Sequence, residues 1–271
     1  MKPVAFSYHR PRTLDEALAL LRSEPDCKVI AGGQSLIPLM NFRLSRPGAL
    51  VDINEIEGLN RVEKTDGGLR IGALVRHQAL AEHPLVREVC PVLAEAAGHV
   101  GHWAIRNRGS LGGSLAHADP AAELPAAMVA LDARFEVASA DGVRQVPARS
   151  FFLGYLMTDL APDELLVAVH VPAQTGRAFG FHEFARRPGD FALAGAFAEV
   201  GPGGAGAVTW FGVSGGPERC ELTFPEDAAA REAAFAALVE PFDPGQDAPY
   251  RRHLAVQAAE RAYQQAVGGR G

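Results

Sequence analysis

The sequence predicts a mixed helix-and-strand protein of about two domains, and three observations carry that expectation. It has 271 residues, 48% of them hydrophobic and 21% charged, enough to bury a sizeable core without a disulfide or metal staple. Short apolar strands are interspersed with amphipathic helices along the whole chain. The character of the chain changes at Pro172-Ala173-Gln174-Thr175-Gly176-Arg177, where turn residues interrupt the apolar pattern.

Thr13-Leu14-Asp15-Glu16 is a capping box, with Thr13 as N-cap and Glu16 at N3. Leu14, Ala17, Leu18 and Leu21 then share a face, so a helix is expected to about Arg22, broken by Pro25-Asp26. Lys28-Val29-Ile30-Ala31 reads as a buried strand ending in Gly32-Gly33, and Leu50-Val51-Asp52-Ile53 as another, after the turn Arg46-Pro47-Gly48. Gly67-Gly68 opens a strand through Leu69-Arg70-Ile71. Helices are expected over 76–82 and 85–99, the second interrupted by Pro91, and over 121–131. Between the last two lies a glycine-rich region, 108–120. Strands are expected at 135–137, 165–171, 179–184, 195–200 and 208–213, and two closing helices at 226–238 and 249–267. The main domain boundary is expected near 172–177, with a softer one near 55–59.

Composition excludes several classes. The net charge of −6 offers no basic stripe for a phosphate backbone, which sets nucleic acid aside. Cys27, Cys90 and Cys220 are scattered and contain no C-x-x-C, so a zinc or iron–sulfur site made by this chain alone is not expected. The N-terminal residues lack a signal-peptide core, and no stretch approaches the ~20 apolar residues of a membrane span. A soluble, cytoplasmic protein with reduced thiols is the expectation.

The informative feature is a pair of similar loops, Ala31-Gly32-Gly33-Gln34-Ser35-Leu36 and Gly109-Ser110-Leu111-Gly112-Gly113-Ser114-Leu115. Consecutive glycines permit positive φ and close approach of backbone to a ligand, and successive N–H groups with serine hydroxyls suit a pyrophosphate. Neither loop has the G-x-G-x-x-G or G-x-x-x-x-G-K-[ST] pattern, so a Rossmann site and a P-loop are both excluded. From the residues alone, tight turns and a phosphate cradle remain equally open.

Other constellations are weaker. His99, His102 and His117, with Glu95, Asp119 and Glu123, suggest metal binding, but no complete ligand set has convincing spacing. Ser110 or Ser114 with His117 and Asp119 suggests a hydrolase, but neither serine sits in G-x-S-x-G. Arg106 and Arg108 read as surface arginines, and Arg186-Arg187-Pro188-Gly189-Asp190-Phe191 as a turn that presents an aromatic ring.

Taken in order, these segments resemble the FAD-binding medium subunit of molybdenum hydroxylases, the family of carbon monoxide, xanthine, nicotine-type and aldehyde dehydrogenases. The resemblance runs from about Phe6 to Tyr263. Ala31-Gly32-Gly33-Gln34-Ser35-Leu36 and Arg106-Asn107-Arg108-Gly109-Ser110-Leu111-Gly112-Gly113-Ser114-Leu115-Ala116-His117-Ala118-Asp119-Pro120 resemble its two flavin motifs. Asn41-Phe42-Arg43-Leu44-Ser45-Arg46-Pro47, Leu50-Val51-Asp52-Ile53-Asn54 and Ile71-Gly72-Ala73-Leu74 with His77 fit as well.

The resemblance implies an α+β fold of the vanillyl-alcohol oxidase and p-cresol methylhydroxylase type. An FAD-binding domain would span 1–175, in subdomains 1–56 and 57–175, with a C-terminal α/β domain over 176–271. It implies non-covalent FAD, with Ala31, Gly32, Gly33, Gln34, Ser35, Ser110, Leu111, Gly112, Gly113 and Ser114 around the pyrophosphate and ribityl chain. Glu123 would lie near the adenosine ribose, Leu166 near the adenine and Phe191 against the isoalloxazine. His182 stands where relatives often have lysine, near the flavin ring. No residue is expected to act as nucleophile or general base. Molybdopterin and [2Fe-2S] clusters are expected only on partners, a large and a small subunit, assembled as a dimer of heterotrimers. The rival expectation is a self-sufficient flavin oxidoreductase of the same fold acting on its own small substrate.

Overall fold

The computed structural model describes residues 1–24 and 26–269, so the helix-breaking role expected of Pro25 lies outside the described residues. Among the described residues, three larger sheets and a two-stranded hairpin make up the strands. The first is parallel, with β1 (Ser7–His9), β2 (Cys27–Ile30) and β3 (Ala49–Asp52) in the order β1-β3-β2. Helix Leu14–Ser23 connects β1 to β2 and buries Ala17, Leu18 and Leu21, the face its periodicity marks. Thr13 Oγ1 accepts from the Glu16 N–H at 3.2 Å, while the Glu16 carboxylate accepts from the Arg12 N–H at 2.9 Å. The capping box thus closes one residue further out than its usual form.

The second sheet holds β4 (Val62–Thr65), β5 (Gly68–Gly72), β6 (Arg134–Ser139) and β7 (Gly142–Pro147). A small hairpin, β8 (Phe152–Gly154) and β9 (Met157–Thr158), precedes its fifth strand, β10 (Leu165–Pro172). The order is β4-β5-β10-β6-β7. Strand β10 is the central one, antiparallel to both β5 and β6, and its run Leu165-Leu166-Val167-Ala168-Val169 is buried. Between β5 and β6 the chain inserts helices His77–Glu82, Pro84–Val89, Pro91–His99, Trp103–Arg106, Leu111–His117 and Glu123–Ala130. Cys90, at φ −146° and ψ 68°, makes the break before Pro91, where a proline in the first turn needs no N–H partner. Helix Glu123–Ala130 is buried on every side, which is why its pattern is continuously apolar.

The third sheet is an antiparallel meander of β11 (Ala178–Ala185), β12 (Ala192–Val200), β13 (Ala205–Phe211) and β14 (Glu218–Thr223). Its two faces divide by the strand period of two. Ala194, Ala196, Ala198 and Trp210 join the core beneath helices Ala228–Val239 and Ala248–Gly268, whereas Phe181, Phe197 and Phe211 join the core of the second sheet. The long helix lies directly on β11: a Cβ on Gly180 would stand 2.0 Å from the Ala262 carbonyl oxygen. Helices on an antiparallel sheet together with the small parallel sheet make this an α+β protein.

Several elements were not anticipated: β1, β4, β7, the β8–β9 hairpin, β14, and helices Leu36–Asn41, Trp103–Arg106, Leu111–His117 and Ala148–Phe151. Strands β7 and β14 are mostly polar edge strands. Helix Leu111–His117 has two glycines, Gly112 and Gly113, in its first turn, which argue against helix by propensity.

Candidate functional site

The first glycine loop leaves the C-terminal end of β2. Gly33 takes φ +72°, a conformation that costs other residues roughly 1–2 kcal/mol. The side-chain amide of Gln34 donates to the Gly32 carbonyl at 2.9 Å and closes the loop on itself. The N–H groups of Gly33, Gln34 and Ser35 donate to no acceptor among the described residues, and the Ser35 hydroxyl makes no cap bond. Three free N–H groups and a free hydroxyl in sequence form a concave set of donors.

The second loop resembles the first in composition but not in geometry. Leu111 N–H donates to Val75 O at 2.9 Å and Gly112 N–H to Ala73 O at 2.8 Å, so these donors are already spent within the protein. Gly109, Gly112 and Gly113 do not have positive φ. Their role is close packing: a Cβ on Gly112 would stand 2.5 Å from Ala73 Cβ, and one on Gly109 would stand 2.4 Å from His77 Cδ2. The likeness of the two loops in sequence does not extend to their donors: the first leaves its N–H groups free, and the second presents serine hydroxyls. The Ser110 hydroxyl caps helix Leu111–His117, accepting from Gly113 N–H at 3.3 Å, and Ser114 follows one turn on.

The two loops touch, and a polar clamp holds them. A Cβ on Gly32 would lie 2.2 Å from the Arg108 carbonyl oxygen. Asn54 Nδ2 donates to Ala31 O at 2.8 Å. Arg76 donates to Asn54 Oδ1 and, through its other terminal nitrogen, to Arg108 O, each at 2.6 Å. Asp52 steadies Asn54 from behind at 2.6 Å and also accepts from the Tyr8 hydroxyl. Burial would raise the Asp52 pKa, but hydrogen bonds from Tyr8 and Asn54 outweigh burial and hold it below the ordinary carboxylate value.

Between the loops runs a cleft of about 520 Å³, within the range of small-molecule sites. Ala31, Gly32, Gly33, Gln34, Ser35, Ser110, Gly113, Ser114, Glu123 and Phe191 line it. Leu111, Gly112, Leu166 and His182 do not. Leu111 and Gly112 are buried behind the second loop, and Leu166, 3% exposed, belongs to the core around β10. His182, on β11, lies 3.3 Å from Arg261 and edge-on to Phe184. Burial and then the Arg261 charge lower its pKa.

Glu123 is 4% exposed. Burial pushes its carboxyl up to about 8, and the nearby Glu183 carboxylate adds to the shift, so at neutral pH it faces the cleft as a neutral donor. Phe191, 61% exposed, offers a flat apolar face. Helix Leu36–Asn41, unforeseen in the sequence, supplies an apolar wall through Leu39, continued by Phe42 at its C-cap; the spacing of Leu36, Leu39 and Met40 was the available signal. His117 and Asp119 also border the cleft, though Asp119 is engaged with the Ala121 N–H at 2.9 Å. Among the described residues no three His, Cys, Asp or Glu side chains cluster to hold a metal. No described helix is long and apolar enough to cross a membrane.

Free N–H groups in series, hydroxyls opposite them, a neutral carboxyl and an apolar ring along one cleft fit an elongated cofactor that joins a pyrophosphate to flat rings. Fold and cleft thus define a protein that holds a dinucleotide without a Rossmann loop. The chain belongs to the family described as the FAD binding domain in molybdopterin dehydrogenase, which matches residues 4–174. It is 39% identical to the 6-hydroxypseudooxynicotine dehydrogenase complex subunit alpha of Paenarthrobacter nicotinovorans, covering 98% of this chain and 96% of that one. It is 36% identical to the carbon monoxide dehydrogenase medium chain of Hydrogenophaga pseudoflava, with 97% of each covered. Among solved structures, quinoline 2-oxidoreductase from Pseudomonas putida 86 superimposes with a TM-score of 0.92 at 37% identity, over 99% of each chain. The family is the one that the two glycine motifs resemble.

Proposed function

We propose that this chain is the FAD-binding medium subunit of a heteromeric molybdenum hydroxylase, and so an oxidoreductase subunit. FAD, when bound, would supply the redox chemistry between an external acceptor and partner subunits that would carry [2Fe-2S] clusters and molybdopterin. The observation that carries this reading is the cleft with its three free N–H groups at 33–35, inside a chain that aligns with dehydrogenase subunits along nearly its whole length.

The chain's own part is to bind, orient and shield. The loop at 31–35 holds the pyrophosphate through backbone N–H groups, with Ser110 and Ser114 on the facing wall. Glu123 donates a hydrogen bond near the adenosine ribose, and Phe191 covers the isoalloxazine and limits access of water. We assign residues 1–175 to FAD binding and 176–271 to a covering unit, place the complex in the cytoplasm as a dimer of heterotrimers, and take FAD to be non-covalent.

Purification of the chain alone and with its partners tests the reading. The isolated chain should be yellow, release its flavin on acid precipitation, contain no iron, and pass electrons from a reductant to a dye. It should leave hypoxanthine, nicotine-like heterocycles, aldehydes and carbon monoxide untouched until both partner subunits are added. Substrate-dependent bleaching of the flavin in the single chain would establish the self-sufficient oxidoreductase instead.

A further inference from the structure

His77 opens the helix that follows β5, at the point where the second glycine loop crosses it. Its backbone N–H donates to Gly109 O at 3.1 Å, which pins the residue to that loop. The side chain is 4% exposed and lines the cleft. It nevertheless has no hydrogen-bonding partner among the described residues. Nδ1 is fully buried and unpaired, while Nε2 is unpaired but retains access to the cleft. A buried polar ring normally has its hydrogen bonds satisfied, so a buried imidazole without one, on the wall of a ligand cleft, marks a contact that the ligand completes.

The local sequence keeps room for this ring. A Cβ on Gly109 would stand 2.4 Å from Cδ2 and 2.5 Å from Nε2, so glycine is required there for the imidazole to occupy its place. Gly109 therefore serves His77 rather than a positive φ, which it does not have.

Resting on the reading of the cleft as an FAD site, we propose that His77 is an FAD-binding residue, donating Nε2–H to an oxygen of the pyrophosphate–ribityl segment. Which nitrogen carries the proton follows from burial. An orphaned buried N–H is rarer than an unpaired buried lone pair, so the sealed Nδ1 is the acceptor and the cleft-facing Nε2 is the donor. The ring is neutral: burial, with the charges of Arg76 and Arg106 beside it, holds its pKa near 4. It can thus serve as a hydrogen-bond donor at a constant protonation state across the neutral range.

FAD titration into the full-length apo chain tests this, read by flavin fluorescence alongside thermal melting. His77→Phe keeps a flat ring and removes the donor; FAD affinity should fall about 10- to 100-fold, the loss of one hydrogen bond to a charged or strongly polar oxygen. His77→Gln places an amide N–H near the position of Nε2 and should recover most of the affinity. Equal affinity of His77→Phe and wild type would overturn the proposal, as would equal losses in both variants that track their loss of melting temperature. If His77→Phe does not fold, 15N-histidine labelling of the wild-type chain decides: the His77 Nε2 resonance should move on adding FAD, and an unmoved resonance removes the assignment. A wild-type chain that binds no FAD would instead defeat the functional reading on which this rests.

Discussion

Gly32→Ala is the sharpest probe of the geometry between the two loops. The added methyl carbon would stand 2.2 Å from the Arg108 carbonyl oxygen and 2.8 Å from both Arg108 C and Gly109 Cα. All three are backbone atoms, so no side chain can swing aside. Ordinary contact begins near 3.4 Å, so the loops must part by more than 1 Å. The clamp bonds that join them, 2.8 Å from Asn54 to Ala31 O and 2.6 Å from Arg76 to Arg108 O, would stretch past useful length. Overpacking of this kind costs about 1–3 kcal/mol, and each lost hydrogen bond about 1 kcal/mol. If about 2–3 kcal/mol of that falls on the bound state, FAD affinity drops roughly 30- to 150-fold. Fluorescence titration of FAD into the apo chain measures it. Gly67→Ala, with nothing within 4 Å of its Cβ, serves as the control and should bind as wild type. A Gly32→Ala chain with wild-type FAD affinity would refute the argument that contact between the loops shapes the site.

Three further outcomes follow from the same geometry. Arg76→Met removes both 2.6 Å bonds of the clamp and leaves Asn54 Oδ1 and Arg108 O unmet, so FAD affinity should fall about tenfold; unchanged affinity in the same titration would show the clamp to be dispensable. Glu123 has a folded pKa raised to about 8 against an ordinary 4.5, so between those values the folded apo chain holds a proton the unfolded chain has released, and stability falls as pH rises through that window. Glu123→Gln is neutral throughout, so its melting temperature relative to wild type should rise from pH 5 to pH 8; a flat difference would contradict the burial argument. Phe191→Ala should retain a full complement of flavin, because the pyrophosphate loops lie elsewhere, but should change the rate of flavin reoxidation in stopped-flow; loss of flavin, or an unaltered rate, would remove Phe191 from the ring.

Local sequence made much of this protein legible. Thr13 and Glu16 marked the first helix because a cap is written within four residues, and the apolar periodicity of 14–21 named its buried face. The strand before Gly32 was readable, and the two glycines after it made positive φ permissible, but that Gly33 takes it while Gly32 serves close contact was settled by the fold. The order of the motifs along the chain was enough to name the family, since each motif is a short contiguous segment. Phe191 could be placed beside the cleft only through the resemblance, since the turn before it, read alone, says nothing of where its ring lies.

What the sequence could not supply was the state of each donor and the facing of each side chain. Gly112 looks like Gly33 in one dimension, yet its N–H is taken by Ala73 and its missing Cβ makes room for that same residue. Leu166 packs in the core around β10 and His182 against Arg261 and Phe184, so neither lines the cleft. The Asn54–Arg76–Arg108 clamp joins residues 22 and 32 positions apart, and His77 is an ordinary histidine until Gly109 buries it. Backbone conformation is largely a property of neighbouring residues. Whether a hydrogen bond is free to meet a ligand depends on which distant carbonyl has already taken it, and that is decided only when the chain has folded.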